Sequence, residues 1–221
     1  MIRFWGQDKY SERELIGYEL FLREYTDGQW RFPKDFGKFT AQEFADLLIA
    51  TIEALPTGVQ LVSINLDQPE FIDSSYIEEL GRAQRVCSDM QIVVELTERP
   101  AGATITQLID AASAYKLQDL WVCLDDVGTG ANQIDLVQAM SPYVMEYKFA
   151  LQNYHNKRDF ATLVSPQLQF WREQAEINNV FFVIEGFETE TDLKVAANYH
   201  AEIVQGYYYA RPHLIQIKSQ V

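Results

Sequence analysis

The chain has 221 residues, 48% of them hydrophobic and 13% aromatic, enough for a large core and a size that suits one barrel or doubly wound domain. Lys and Arg total 18 against 32 Asp and Glu, and the net charge of −14 repels nucleic acid backbones and anionic membranes unless bound metal inverts the field locally. With no window of ~20 apolar residues for a membrane span and no apolar signal-peptide core in MIRFWGQDKY, a cytoplasmic protein is expected, with neither a nucleic acid polymer nor a membrane as partner.

The first apolar run, Ile16–Leu22, reads as a strand. Thr40 then reads as a helix N-cap, with Glu43 three residues on and Phe44, Leu47, Leu48 and Ile52 at helical spacing. Val59–Leu66 reads as a strand, Cys87 falls in a helix tail, and Ile92–Leu96 is the next strand. A helix over Thr104–Leu117 leads to a strand at Leu120–Leu124, which holds Cys123, and another follows at Val144–Phe149. Phe160–Ile177 reads as a helix broken or started near Pro166. Val180–Ile184, a helix over Thr189–Tyr199 and a strand at Glu202–Val204 complete the series.

Many of these strands are apolar on consecutive residues, as expected when helices cover both faces of a parallel sheet. Strand and helix alternate, which predicts right-handed βαβ units in either a (β/α) barrel or an open sheet. No repeat, low-complexity tract or Gly/Pro/Ser-rich linker interrupts residues 1–221, so the chain reads as one unit. The two cysteines form no C-x-x-C motif, and neither a disulfide framework nor a zinc knuckle is expected.

Polar residues gather at the strand ends. Glu19 lies inside GYELFLR and Asn65 closes SIN; Glu95 closes VVE, with Glu98 three residues later. Asp125 and Asp126 follow VCL, Lys148 follows MEY, Glu185 closes FVIE and Gln205 closes EIVQ. Each alone is an ordinary N-cap or turn residue. Together they mark one edge, because in a parallel barrel the strand C-termini converge on the rim that carries the chemistry.

Glu19, Glu95, Asp125, Asp126 and Glu185 would crowd five negative charges into one mouth. Two like charges ~4 Å apart repel by about 4 kcal/mol at an effective dielectric near ~20, so such a group takes up protons or cations. All-oxygen donors favour Mg²⁺ or Mn²⁺ over zinc. His155, His200 and His213 follow no metal spacing and read as surface residues.

On these residues the chain resembles the EAL domain family, the cyclic di-GMP phosphodiesterases, from about Phe4 to Pro212. GYELFLR is similar to the segment that names the family, with Glu19 and Arg23 in place, and FPKDF to its P-x-x-F element. SINLD carries Asn65, and ELTE carries Glu95 and Glu98. DDVGTG carries Asp125 and Asp126, and Lys148 matches the lysine of K-I-D. EGFE is similar to E-G-V-E, and QGYYYARP matches the closing Q-G-Y motif at Gln205.

The resemblance implies an α/β fold, a TIM-like (β/α)8 barrel modified by one antiparallel strand. It implies two Mg²⁺ or Mn²⁺ ions and hydrolysis of cyclic di-GMP to linear pGpG, and it allows a homodimer. Glu19, Asn65, Glu95 and Asp125 would hold one metal; Asp125, Asp126 and Glu185 would hold the other. Lys148 and Gln205 would lie beside the attacking water, Arg23 would hold a phosphate, and Glu98 would anchor the loop that starts at Asp125. Glu19, Lys148, Glu185 and Glu98 are the expected catalytic set.

The sequence departs from the family pattern in three places. Leu20 and Phe21 replace Ala and Leu after Glu19; Ala150 replaces the aspartate of K-I-D; and Ala131, Asn132, Gln133 and Ile134 replace Y-S-S-L. The loss of a carboxylate at Ala150 leaves an alternative, an impaired domain that acts as a cyclic di-GMP receptor or protein-interaction module. A metal hydrolase acting on another phosphodiester is a third.

Overall fold

The computed structural model describes residues 1–34, 36–155 and 157–217. The chain opens on two long strands, β1 (Ile2–Ser11) and β2 (Glu14–Thr26), which pair antiparallel across Glu12 and Arg13, both at positive φ. Asp27 and Gly28, also at positive φ, turn β2 into the short β3 (Gln29–Arg31). A two-residue Asp-Gly loop suits this because its backbone twist matches that of a hairpin.

Helices and strands then alternate. They run α1 (Ala41–Ile52), β4 (Leu61–Leu66), α2 (Gln68–Phe71), α3 (Ser74–Val86), β5 (Gln91–Leu96), α4 (Ile105–Leu117), β6 (Trp121–Leu124), α5 (Ile134–Met140) and β7 (Glu146–Ala150). They end with α6 (Phe160–Asn178), β8 (Phe181–Glu185), α7 (Glu190–Ala196), β9 (Ile203–Val204) and β10 (His213–Leu214).

The strands close on themselves in the order β1, β2, β4, β5, β6, β7, β8, β9 and back to β1. Neighbours from β2 to β9 are parallel, whereas β1 is antiparallel to both β2 and β9. The fold is the expected TIM-like barrel with one antiparallel strand, and the open-sheet reading falls. β3 and β10 extend it at the edges.

Consecutive apolar residues conceal two different faces. Val62, Ile64, Leu66, Val94, Val122, Leu124, Tyr147, Phe149, Phe182 and Ile184 point outward into one core beneath the helices. Leu61, Val93, Cys123, Val183 and Ile203 point inward and plug the barrel floor. Farther along the same inward rows, the side chains become Asn65, Glu95, Asp125, Lys148, Glu185 and Gln205. The period of two is therefore present, and its polar half is confined to one end of the barrel.

Thr40 and Thr104 cap α1 and α4 with reciprocal capping boxes, and Thr189 caps α7 in the same way. α7 stops at Ala196, short of the expected Tyr199. Pro166 neither breaks nor starts α6, which runs through it. Val164, Leu168, Trp171 and Ala175 bury one helical stripe, and that burial outweighs one missing N–H donor. Cys87 caps the end of α3, and both cysteines are free. Among the described residues, no helix is long and apolar enough to cross a membrane.

β1 is absent from the sequence-based elements. Its buried inward positions, Gln7 and Lys9, are polar and break the apolar run by which the other strands are recognised.

Candidate metal centre

Eight residues singled out in the sequence meet at the barrel mouth: Glu19, Asn65, Glu95, Asp125, Asp126, Lys148, Glu185 and Gln205. Glu19 is the exception to the strand-end rule. It sits in mid-β2, level with Ser63, because β2 runs on past the rim to pair with β3.

Lys148 organises the cluster. Its Nζ lies 3.2 Å from Glu19 Oε2, 3.1 Å from Asp125 Oδ1 and 3.2 Å from Glu185 Oε2, and it also pairs closely with Glu95 Oε2. Asn65 Nδ2 donates to Glu19 Oε1 at 2.6 Å, and Gln205 Nε2 donates to Glu19 Oε2. Gln152, which the sequence reading missed, donates to Glu185 Oε1. One carboxylate oxygen each from Asp125, Asp126 and Glu185 can be chosen so that all lie within 4.8 Å of one another.

The loop after β6 is strained into place. Asp126 has φ 48°, a left-handed conformation that aspartate tolerates better than most residues. A Cβ on Gly130 would approach the Glu98 carbonyl to 2.1 Å, so only glycine fits there. That carbonyl accepts from Ala131 N–H at 2.7 Å. Glu98 thus holds the loop through its main chain. Arg23 stands beside the mouth, its guanidinium 3.4 Å from the Phe32 ring centroid.

Beneath the cluster lie two ionisable groups that no strand-end pattern announces. Lys9 on β1 is fully buried, with Nζ 2.7 Å from Glu95 Oε1. Glu146 is fully buried and, among the described residues, neither of its carboxylate oxygens has a hydrogen-bond partner. Only a Gln-x-Lys on a polar-alternating strand, and a glutamate two residues before Lys148, could have pointed to them. His155 also differs from expectation. It is half-buried, with Nε2 3.2 Å from Asp192 Oδ1, because α7 packs over it.

The electrostatics follow from this crowding. Burial alone would raise Glu95, but Lys148 and Lys9 outweigh it and bring its pKa down to about 2. Burial, reinforced by Glu95, raises Glu19. Burial lifts Asp125 well above the carboxylate range despite Lys148. Burial and then Glu185 push Asp126 up to about 7. Burial would neutralise Lys148, yet Asp125, Glu185, Glu19 and Glu95 hold it charged well above the usual lysine value.

The donor set fits hard divalent ions. Among the described residues it offers five carboxylates and the Asn65 carbonyl with no imidazole, and the buried Asp126 Oδ1 has no hydrogen-bond partner there. One ammonium stands where four carboxylates demand positive charge.

The Asp126 pKa fixes a pH dependence. A carboxyl at about 7 in the folded protein against the ordinary 3.8 retains a proton that the unfolded chain releases. Its contribution to stability is full below the ordinary value and is lost as pH rises through 7. The melting temperature of the metal-free protein is expected to fall between about pH 4 and 7, and saturating Mg²⁺ should raise the alkaline value more than the acid one. A profile that rises across this range without metal would show that Asp126 is not held protonated.

The cluster opens into a cleft of about 760 Å³. Glu19, Asn65, Asp125, Glu185 and Gln205 line it together with the aromatic residues Phe21, Phe32, Phe36, Phe39 and Tyr207.

The family model described as EAL domain matches residues 11–212. Cyclic di-GMP phosphodiesterase TpdA of Vibrio parahaemolyticus is 25% identical over 90% of this chain, which spans about a third of that protein (34%). The Bacillus subtilis YkuI protein, with an EAL domain, in complex with substrate c-di-GMP and calcium, superposes with a TM-score of 0.77 at 18% identity. That match covers 100% of this chain and 58% of the other. The FimX EAL domain from Pseudomonas aeruginosa, bound to c-di-GMP, gives 0.75 at 18% identity over 96% of this chain and 90% of that one. At these identities the solved structures establish the shared fold.

Proposed function

This chain belongs to the EAL domain family, and from that premise we propose that it hydrolyses one phosphodiester of cyclic di-GMP to give linear pGpG. Water adds to phosphorus, the sugar 3′ oxygen departs, and the proton lost by water is recovered by that oxygen. Two divalent ions, Mg²⁺ or Mn²⁺, would supply acidification of the water and neutralisation of charge on the phosphate.

This chain's residues hold and orient. Glu19, Asn65, Glu95 and Asp125 form one binding set, and Asp125, Asp126 and Glu185 the other, with Asp125 common to both. Lys148 is kept charged by its carboxylates, so it acts as a hydrogen-bond donor to the attacking water or the phosphate and is unsuited to accept a proton. Gln205, anchored on Glu19, lies on the same side. Arg23, packed on the Phe32 ring, would hold a phosphate, and the Glu98 carbonyl, which accepts from Ala131 N–H, would hold the end of the loop that starts at Asp125. The aromatic residues that line the cleft would offer faces on which nucleobases stack.

The observation that carries this reading is the Lys148 ammonium within 3.2 Å of Glu19, Asp125 and Glu185 and in contact with Glu95. A second reading rests on Ala150. It is buried at the end of β7 beside Glu185 and adds no carboxylate to the centre, as would suit a receptor that binds the nucleotide without turnover.

One experiment separates them: chromatographic assay of pGpG from cyclic di-GMP with Mg²⁺ or Mn²⁺, and again with excess chelator, alongside measured nucleotide binding. Product formation with metal is expected, and chelation should abolish it and remove most of the nucleotide affinity, since a −14 protein otherwise repels a dianion. Tight binding in chelator with no turnover under either condition would establish the receptor instead.

A further inference from the structure

The antiparallel strand brings a second lysine into the barrel axis. Lys9 enters from β1, against the direction of its parallel neighbours, and is fully buried. Its Nζ takes Glu95 Oε1 at 2.7 Å. The other oxygen, Oε2, meets Lys148, whose ammonium also contacts Glu19, Asp125 and Glu185. The two oxygens of Glu95 therefore have different surroundings. Oε2 faces the acid cluster, and Oε1 is committed to Lys9 away from it.

Glu146 reinforces this arrangement. An oxygen of its unpartnered carboxylate, the Cys123 sulfur and an oxygen of Glu95 all lie within 4.8 Å of one another. Glu95 and, less strongly, Glu146 favour a charged Lys9 in this buried interior, although burial raises Glu146 toward its neutral form. Freeing Oε1 would strand a buried ammonium, which is far costlier than breaking a surface pair.

A carboxylate with one oxygen locked in this way presents only the other to a cation. Mg²⁺ and Mn²⁺ accept single-oxygen ligands in compact octahedra. Ca²⁺ takes about six to eight oxygens and commonly draws both from one carboxylate. We propose that Lys9 is a positioning residue that restricts Glu95 to one ligating oxygen and so biases the centre toward small octahedral ions and against calcium. The inference rests on the reading of Glu95 as a metal ligand.

The test compares Ca²⁺ and Mg²⁺ affinity, each by competition against Mn²⁺ followed by electron paramagnetic resonance, in the nucleotide-free protein. Lys9→Met is measured beside the charge-balanced pair Lys9→Met/Glu146→Gln, and folding of both is checked by circular dichroism. The ratio of calcium to magnesium affinity is expected to rise about tenfold or more in the folded variants, because Glu95 regains its second oxygen. In the charge-balanced pair, Mg²⁺ affinity should stay within about threefold of the unaltered protein, which a general loss of order would not allow. An unchanged ratio in a folded variant overturns the proposal.

Should neither variant fold, a crystal of the unaltered protein grown with calcium decides. Glu95 bound through one oxygen with Lys9 in place supports the proposal, and a two-oxygen Glu95 with Lys9 displaced overturns it. If the unaltered protein binds no divalent ion at all, the two-metal reading fails and this inference with it. If ions bind and the ratio ignores Lys9, only the inference falls.

Discussion

Glu19→Ala is expected to lower kcat for cyclic di-GMP hydrolysis by about a thousandfold or more, the scale for removal of a central electrostatic element from an active site. Glu19 accepts hydrogen bonds from Asn65, Gln205 and Lys148, so the change removes both the oxygen pair proposed to bind metal and the common anchor of three neighbours. The fold should survive. Lys148 keeps Glu95, Asp125 and Glu185 as partners, and the space vacated adjoins the open cleft, where water can pair with the freed amides. Steady-state kinetics with Mn²⁺ and a melting curve read the two effects separately. Retention of more than about a tenth of the wild-type rate would take Glu19 out of the metal-binding set.

Lys148→Met is expected to be the most damaging single change to the metal-free protein. It deletes the ammonium shared by Glu19, Glu95, Asp125 and Glu185 while leaving their charges in place. Breaking a buried pair in this way costs about 3–5 kcal/mol. For a chain of this size that corresponds to a loss of about 6–20 °C in melting temperature. The loss should be larger near pH 8 than near pH 5, because protonation relieves the repulsion among the carboxylates. Saturating Mn²⁺ should restore most of the stability by supplying the missing positive charge, while turnover stays low for want of the donor. A melting temperature that does not respond to Mn²⁺ would mean that divalent ions cannot replace the ammonium, and the two-metal reading would lose its main support.

The cluster was legible because its members lie where inward-facing rows leave the apolar part of a strand. Glu95, Glu185 and Gln205 each follow a short run of Val, Ile or Phe, Asn65 and Lys148 each follow a single Ile or Tyr, and β-strand alternation with burial on both faces is a local property. Glu19 was found through the motif around it, since mid-strand placement hides it from the strand-end rule. Arg23 was recognised in the same way, but its packing on Phe32 depends on a segment following the β2–β3 hairpin and could not be read from GYELFLR.

Sequence alone determined that this protein alternates strands and helices, that its acids gather at strand ends and that they call for hard cations, because pattern, capping and charge act over a few residues. Tertiary structure alone decided that β1 runs against its neighbours and closes the ring, that Lys148 stands among four carboxylates, and that Lys9 grips Glu95 with Glu146 buried near it. The separations are 86 residues for Lys9 and Glu95 and 129 for Lys148 and Glu19. A buried charge is chosen by the partners that compensate it, and those partners are neighbours only after the barrel has closed.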